Sequence, residues 1–276
     1  MNEKVIAAVP SYNAGENLLN LAQQLSNQNF DGVYILDDNS TDNSIEKLKN
    51  EYPDFSVIEG SENVGPAGNR NRVLDVIDEG IILFIDADMT LESENILKIV
   101  KGVFGNTSVG MAGGYILNRQ KQPMGWNYGF EMHPTKDVWF WQIVSTIARQ
   151  DIPSWYKNEL LQQLKDADMD YHWVAPADLP LQSRKVDWVA EGLFAIDSKL
   201  FSRVGGYDDK MPYHEGQDLA RRVRDEGLDV KFDPSFSSVH HELHVRDDRD
   251  TDFREGQFYF FQKHWDMSRQ VFEKLY

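Results

Sequence analysis

The stretch IILFIDADMT, residues 81–90, decides the fold. Five apolar residues run straight into Asp86-Ala87-Asp88. A short, continuously apolar run bounded by acidic residues reads as a buried strand, and its carboxyl end is where open α/β sheets bind ligands. Two carboxylates spaced i, i+2 there are hard ligands that suit Mg²⁺ or Mn²⁺, ions that keep part of their shell for water and substrate phosphates. The same tripeptide is also compatible with an acidic helix cap or a solvated turn.

Upstream, apolar runs alternate with amphipathic stretches. VIAAVP at 5–10 is followed by residues 16–28, with Leu18, Leu21, Ala22 and Leu25 at helical spacing, and then by VYILDD at 33–38. A short helix carrying Ile45 and Leu48, the run SVIE at 56–59 and a helix over 67–78 lead into the strand that ends at Asp86. Strands alternating with helices of this length imply βαβ units, hence an α/β fold with a mostly parallel sheet flanked by helices on both faces. Pro10, Asp37, Asp38 and the two aspartates after residue 85 then share one rim of that sheet.

Each rim segment carries chemistry that suits a nucleotide. Backbone around Pro10 and Asn13 and the Tyr12 ring fit a base and ribose, and a carboxylate such as Asp38 accepts from a base N–H. Asn63 and Gly65 open the third helix, where free N–H groups, together with the Arg70 guanidinium, favour anions. The plainer alternative is that Ser40, Thr41 and Asn43 cap the second helix, with Asn43 and Glu46 spaced as a capping box.

In this order the motifs resemble those of the family 2 glycosyltransferases, which have the GT-A fold. The resemblance rests on P-x-Y-N at 10–13, D-D-x-S-x-D-x-S at 37–44, N-x-G-x-x-x-A-R-N at 63–71 with Asn69 in place of the alanine, and D-x-D at 86–88. It continues more loosely through EGLFAI at 191–196, VGGYD at 204–208 and EGQDLARR at 215–222, and relatives place a metal-ligating histidine at the distance of His240 after Pro234. The resemblance implies a metal-dependent enzyme that uses a nucleoside diphosphate sugar, UDP- in preference to GDP-linked, and a carbohydrate or other hydroxyl acceptor, in glycan or glycoconjugate biosynthesis. Asp88 and His240 would bind Mn²⁺ or Mg²⁺, with His241 and His244 as alternatives, and Asp86 would bind the ion or the ribose. Arg70 would meet the base or the phosphates, and Gly192 would line the donor sugar. Relatives often carry a general base where this chain has Gly216, so Glu215 and Asp218 are the candidates, unless transfer proceeds with retention. Two other readings are a nucleotidyltransferase, for which PSYNAGEN lacks a glycine-rich, lysine-containing loop, and a non-catalytic sugar or nucleotide-binding module.

The chain has 276 residues, no cysteine and a net charge of −17. The acidic balance disfavours nucleic acid and anionic lipid as partners. The absence of cysteine removes thiol chemistry, no apolar run reaches the ~18 residues of a membrane span, and no stretch precedes the first strand as a signal peptide would. The expectation is a cytoplasmic enzyme with one domain over 1–276, its nucleotide-binding half at 1–114 and its acceptor-binding half at 115–276. The second half is rich in aromatic residues, among them Trp126, Phe130, Trp139, Trp155, Tyr156, Tyr171, His172, Trp173 and Trp188. Helices over 138–149 and 155–167 would set some of these rings over the rim, where they would either stack on sugars or fill a second core. Residues 253–276 carry a further aromatic run, suited to packing on the body, to an interfacial helix or to a homodimer contact.

Overall fold

Alternating apolar runs and amphipathic stretches fold as the periodicity predicts. In this computed structural model, residues 4–124, 127–129, 131–149, 151–166, 181–241 and 249–275 are described. The first part of the chain forms β1 (Val5–Ser11), α1 (Gly15–Ser26), β2 (Gly32–Asp37), α2 (Ser44–Glu51), β3 (Ser56–Glu59), α3 (Gly65–Asn71), β4 (Ile81–Ile85) and β5 (Met89–Leu91). Next come α4 (Ile96–Phe104), β6 (Val109–Leu117), β7 (Tyr128–Gly129), α5 (Pro134–Ala148) and α6 (Ser154–Asp166). The last part contributes β8 (Arg184–Val186), β9 (Trp188–Val189), β10 (Leu193–Asp197), α7 (Ser198–Arg203), α8 (Glu215–Asp225), β11 (Asp229–His240), α9 (Arg249–Trp265) and α10 (Arg269–Leu275).

The main sheet has the order β3-β2-β1-β4-β10-β6-β11-β5, with β8 also paired to β11. β1 pairs parallel with β2 and β4, β2 with β3, and β6 with β11. β10 runs antiparallel between β4 and β6, so its amino end meets the carboxyl ends of its neighbours. Strands buried on both faces need apolar side chains on both, which is why β4 reads IILFI with every residue buried. On one face Leu18, Leu21 and Leu25 of α1 and Val100 of α4 pack on the sheet; on the other, Phe201 of α7 and Leu219 and Val223 of α8 do. Phe84 and Phe194, register partners on β4 and β10, stack with centroids 4.9 Å apart, and each fully buried ring contributes roughly 2 kcal/mol.

Three local expectations change. The helix expected over 67–78 begins at Gly65, continues only to Asn71 and tightens into a 3₁₀ turn at Arg72–Asp75. Its early start follows from a cap outside its own sequence, because the Val64 and Gly65 N–H groups donate to the Asp38 carboxylate at 3.0 and 2.9 Å. The capping box does not form: Asn43 makes no side-chain cap bond, and Asp42 instead accepts from the Ser44 N–H at 3.1 Å. Ser40 and Thr41 stitch the β2 loop to the β1 loop, Ser40 Oγ accepting from the Asn13 N–H and Asn13 Oδ1 accepting from the Thr41 N–H.

The aromatic second half mostly builds cores. Phe140, Ile143, Leu160 and Leu164 of α5 and α6 form a small cluster of their own, and Tyr128 and Trp188 are buried in the main sheet's core. Trp155 and Tyr156 of α6 stay exposed and pack against each other with centroids 5.6 Å apart. Trp126, Phe130, Tyr171, His172, Trp173 and His244 lie outside the described residues. The aromatic face of the carboxyl-terminal helices turns inward, where Phe258, Phe260, Phe261 and Phe272 bury against Met132 and Met211 of the same chain. No described helix is long and apolar enough to cross a membrane.

α9 is fastened to α8 through Asp218, which is fully buried. Arg222 Nε and Nη2 donate to its Oδ2 at 2.9 and 2.6 Å, while Lys263 Nζ and His264 Nε2 lie 2.8 and 2.7 Å from its Oδ1. Burial alone would raise this carboxyl, but the bond from His264 and the charges of Arg222 and Lys263 outweigh it and hold the group well below the ordinary carboxylate range. Removing the acid leaves cationic groups facing one another, so Asp218→Ala is expected to cost ~3 kcal/mol in urea unfolding at pH 7. A depressed folded pKa means the unfolded chain takes up the proton first, so this contribution is complete above the ordinary carboxylate pKa and is lost as the pH falls below it. Wild type and Asp218→Ala should therefore converge in stability towards acid pH.

Candidate functional site

Asp86 ends β4, and a short turn carries the chain through Asp88 into β5. β5 pairs antiparallel with the far end of β11, with His240 opposite Met89, and the His241 N–H donates to the Asp88 carbonyl at 2.9 Å. This pairing brings His240 Nε2 to 3.2 Å from Asp88 Oδ2. Asp86, Asp88 and His240 each present a ligand atom, all within 4.8 Å of one another, the only such group of three among the described residues. His241 is turned away from the trio, its Nε2 2.7 Å from the Thr90 hydroxyl.

Arg70 lies behind the trio. Its guanidinium is almost fully buried and donates from Nη2 to Asp86 Oδ1 at 2.6 Å, with Nη1 3.9 Å from Glu191 Oε1. Burial works against this charge, yet Asp86 and the further acidic neighbours raise the guanidinium above its ordinary value, so it stays protonated. The expectation that Arg70 meets a base or a phosphate is thereby narrowed: in this structure one arm holds Asp86. Burial pushes the Asp86 carboxyl upward, with Asp88 adding to the effect and Arg70 opposing it.

Glu191 completes this cluster, and the sequence reading did not single it out. It precedes Gly192 at the amino end of β10, where the Asp86 N–H donates to the Gly192 carbonyl at 3.0 Å. Burial foremost, and then the neighbouring Glu215 carboxylate, push Glu191 up to about 8 against the pull of Arg70. The Tyr207 hydroxyl stands beside the carboxylate without completing a hydrogen bond to it, and burial raises that phenol well above its usual value. Tyr207 is placed by Asn71, which clamps its backbone from both sides at 2.7 and 2.9 Å. An acidic residue at the edge of the apolar run LFAI was the available signal, the same pattern that marked Asp86.

The remaining residues take several positions. Tyr12 and Pro10 are half-buried beside the β2 loop, and Asn13 serves as the stitch between the two loops at a left-handed φ of 49°. Asn63 is exposed, and Gly65 faces open space at the start of α3. Asp38 is buried, with both oxygens engaged by the Val64 and Gly65 N–H groups and Arg72 Nη2 3.4 Å away, so it shapes the loop in which a base was expected to meet it. A Cβ on Gly192 would stand 2.3 Å from the Met89 methyl and 3.4 Å from Asp86 Oδ2, which explains a glycine there. Glu215 is buried at the start of α8 and acts electrostatically on Glu191 and Arg70. Asp218, the other candidate base, is held by Arg222, Lys263 and His264.

The profile of glycosyl transferase family 2 matches residues 6–164. A beta-monoglucosyldiacylglycerol synthase of a Nostoc species is 30% identical over 146 residues, covering 51% of this chain and 30% of that protein. A poly(ribitol-phosphate) beta-glucosyltransferase of Bacillus spizizenii is 31% identical over 103 residues, 34% of this chain and 16% of that one. The chain thus spans less than a third of the length of these curated relatives. Among solved structures, GalNAc-T7 with UDP, GalNAc and Mn²⁺ superposes with a TM-score of 0.67 at 13% identity, over 96% of this chain and 48% of that one. A mannosyltransferase from Pyrobaculum calidifontis with GDP-Man and Mn²⁺ gives 0.61 at 14% identity, over 99% and 69% of the two chains. These likenesses establish the GT-A fold.

Because a buried acid without its partner is strongly destabilising, Arg70→Met is expected to lower unfolding free energy by ~3 kcal/mol and Arg70→Lys by less. Chemical denaturation at neutral pH measures both. Equal stability of Arg70→Met and wild type would show that Asp86 and Glu191 do not rely on this guanidinium.

Proposed function

The chain belongs to glycosyl transferase family 2, and on that premise we propose that it transfers a sugar from a nucleoside diphosphate donor, UDP-linked in preference to GDP-linked, to a hydroxyl acceptor. The observation that carries this reading is the convergence of Asp86, Asp88 and His240 at the sheet rim that also presents Tyr12 and the loop before α3. Two carboxylates and an imidazole form a donor set that fits Mn²⁺ or Mg²⁺. Bound there, a divalent cation supplies positive charge for the diphosphate as it leaves.

The chain's own residues have distinct tasks in this reading. Arg70 holds Asp86 at the cleft and opposes the upward push that burial gives its carboxyl. Asp38 orders the loop of Val64 and Gly65, and so the helix end at which phosphate oxygens would be received. Tyr12 offers a ring at the mouth of β1 for the base, and Gly192, beside Asp86, would line the donor sugar. Both curated relatives are named for β-glucosyl transfer, which supports UDP-glucose as the first donor to try and a β-linked glycoconjugate as product. Two of the structural neighbours contain Mn²⁺, which supports the same ion here.

Calorimetric titration of UDP with and without Mn²⁺ tests the proposal. UDP is expected to bind at least about tenfold more tightly with the ion, a difference of ~1.4 kcal/mol. Asp88→Ala and His240→Ala should each abolish that difference. Equal affinity with and without Mn²⁺ in the wild type would remove the metal from donor binding.

A further inference from the structure

We propose that Glu191 is the group that takes the proton from the acceptor hydroxyl, and that Gly216 is a glycine in order to leave Glu191 room at the cleft. The proposal rests on the reading of the chain as a glycosyltransferase and assigns a step which that reading leaves open.

Elimination among the rim carboxylates leads to it. Asp86, Asp88 and His240 form the candidate metal-binding trio, buried Asp37 accepts from the Ser40 N–H, Asp38 holds the Val64 and Gly65 N–H groups, and Asp218 is bound by Arg222, Lys263 and His264. Glu191 and Glu215 remain. Glu215 is 6% exposed, packed into the first turn of α8, whereas a quarter of the Glu191 side chain is open to solvent. Glu191 also lies closer to the chemistry, since Arg70 reaches both its carboxylate and that of Asp86.

Gly216 supplies an independent observation. A Cβ built there would fall 2.6 Å from both Cγ and Cδ of Glu191 and 2.8 Å from Oε2, closer than non-bonded atoms approach. The space that a side chain on the first turn of α8 would take is therefore filled by a carboxylate reaching across from the turn before β10. An acid at position 216 and an acid at position 191 are alternative ways of placing a carboxylate in the same volume. This chain uses the second.

In the step assigned, the acceptor oxygen attacks the anomeric carbon from the face opposite the leaving diphosphate. With Glu191 in its ionised form, the acceptor O–H proton passes to its carboxylate oxygen and the new C–O bond forms. The bond from the anomeric carbon to the diphosphate breaks, and its electron pair leaves with the nucleoside diphosphate. The product carries the inverted configuration.

Release of UDP from UDP-glucose in the presence of Mn²⁺, with water as acceptor, tests the proposal. A positioned carboxylate base contributes ~10²- to 10⁴-fold, so Glu191→Gln is expected to lower kcat by at least ~100-fold, with the Kd for UDP and the melting temperature close to wild type. Gly216→Asp alone should also lose activity, because it displaces Glu191. The double variant Glu191→Ala/Gly216→Asp, which returns a carboxylate to the same space, should recover at least ~10-fold over Glu191→Ala. A purely structural Glu191 would move stability or UDP binding and would show no such recovery. Turnover of Glu191→Gln within about threefold of an active wild type, a larger loss in Glu215→Gln, or a sugar product of retained configuration overturns the proposal while leaving the glycosyltransferase reading intact. A wild-type chain that neither binds UDP nor releases it from UDP-glucose, UDP-galactose or UDP-N-acetylglucosamine overturns that reading, and the proposal with it.

Discussion

The buried contact between Arg70 and Asp86 is the interaction on which the rest of the site depends. A guanidinium in the interior survives only with an acid against it, and an acid at a crowded rim keeps its charge only with a cation nearby. At 2.6 Å the pair meets both needs and ties α3 to the end of β4. The same guanidinium extends towards Glu191 at the start of β10, so one side chain spans the sheet between two neighbouring strands. Asn71, next in sequence, anchors the backbone of Tyr207, whose ring lies 5.7 Å from the Arg70 guanidinium. The short helix is therefore fixed at both ends, by Asp38 at Val64 and Gly65 and by the partners of Arg70 and Asn71.

Around that pair the charge balance is uneven. Asp86, Asp88, Glu191 and Glu215 gather within one cleft of a chain whose net charge is −17. Arg70 offsets part of this; burial foremost, with the neighbouring carboxylates adding to it, displaces both Asp86 and Glu191 upward. A site in this condition favours cations, and a divalent ion bound there would let it receive the anionic diphosphate of the proposed donor. The local acidity and an anionic donor are thus compatible. The negative surface keeps polyanions without such an ion away.

The sheet topology explains how distant residues reach one place. With β10 antiparallel between β4 and β6, the segment before it arrives at the rim where the parallel strands end. Glu191 and Gly192 thereby face Asp86. The pairing of β11 with β5 does the same for His240, whose strand crosses the full height of the sheet before it meets Asp88. The carboxyl-terminal helices close the other side through Asp218, so a group that would otherwise open to the cleft becomes part of the scaffold.

What the sequence determined by itself are features set within a few residues. The alternation of apolar runs with helical spacing fixes the order of β1 to β4 and their helices, because burial on both faces of a strand is a demand each strand meets alone. The spacing of Asp86 and Asp88 after such a run marked a rim carboxylate pair, and the resemblance to family 2 glycosyltransferases added His240, with His241 and His244 as alternatives; the fold selects His240. Tertiary structure alone decided which charged group meets which. Asp38 was legible as a rim acid, but its partners, the N–H groups of Val64 and Gly65, lie 26 and 27 residues away. Asp218 fits an acidic first turn equally well whether it faces a cleft or His264, and His264 is 46 residues downstream. Glu191 and Gly216 carry meaning only as a pair, since the absence of a side chain is informative once another side chain is seen to fill the space. A buried charge is placed by its through-space partners, and pattern along the chain does not encode them.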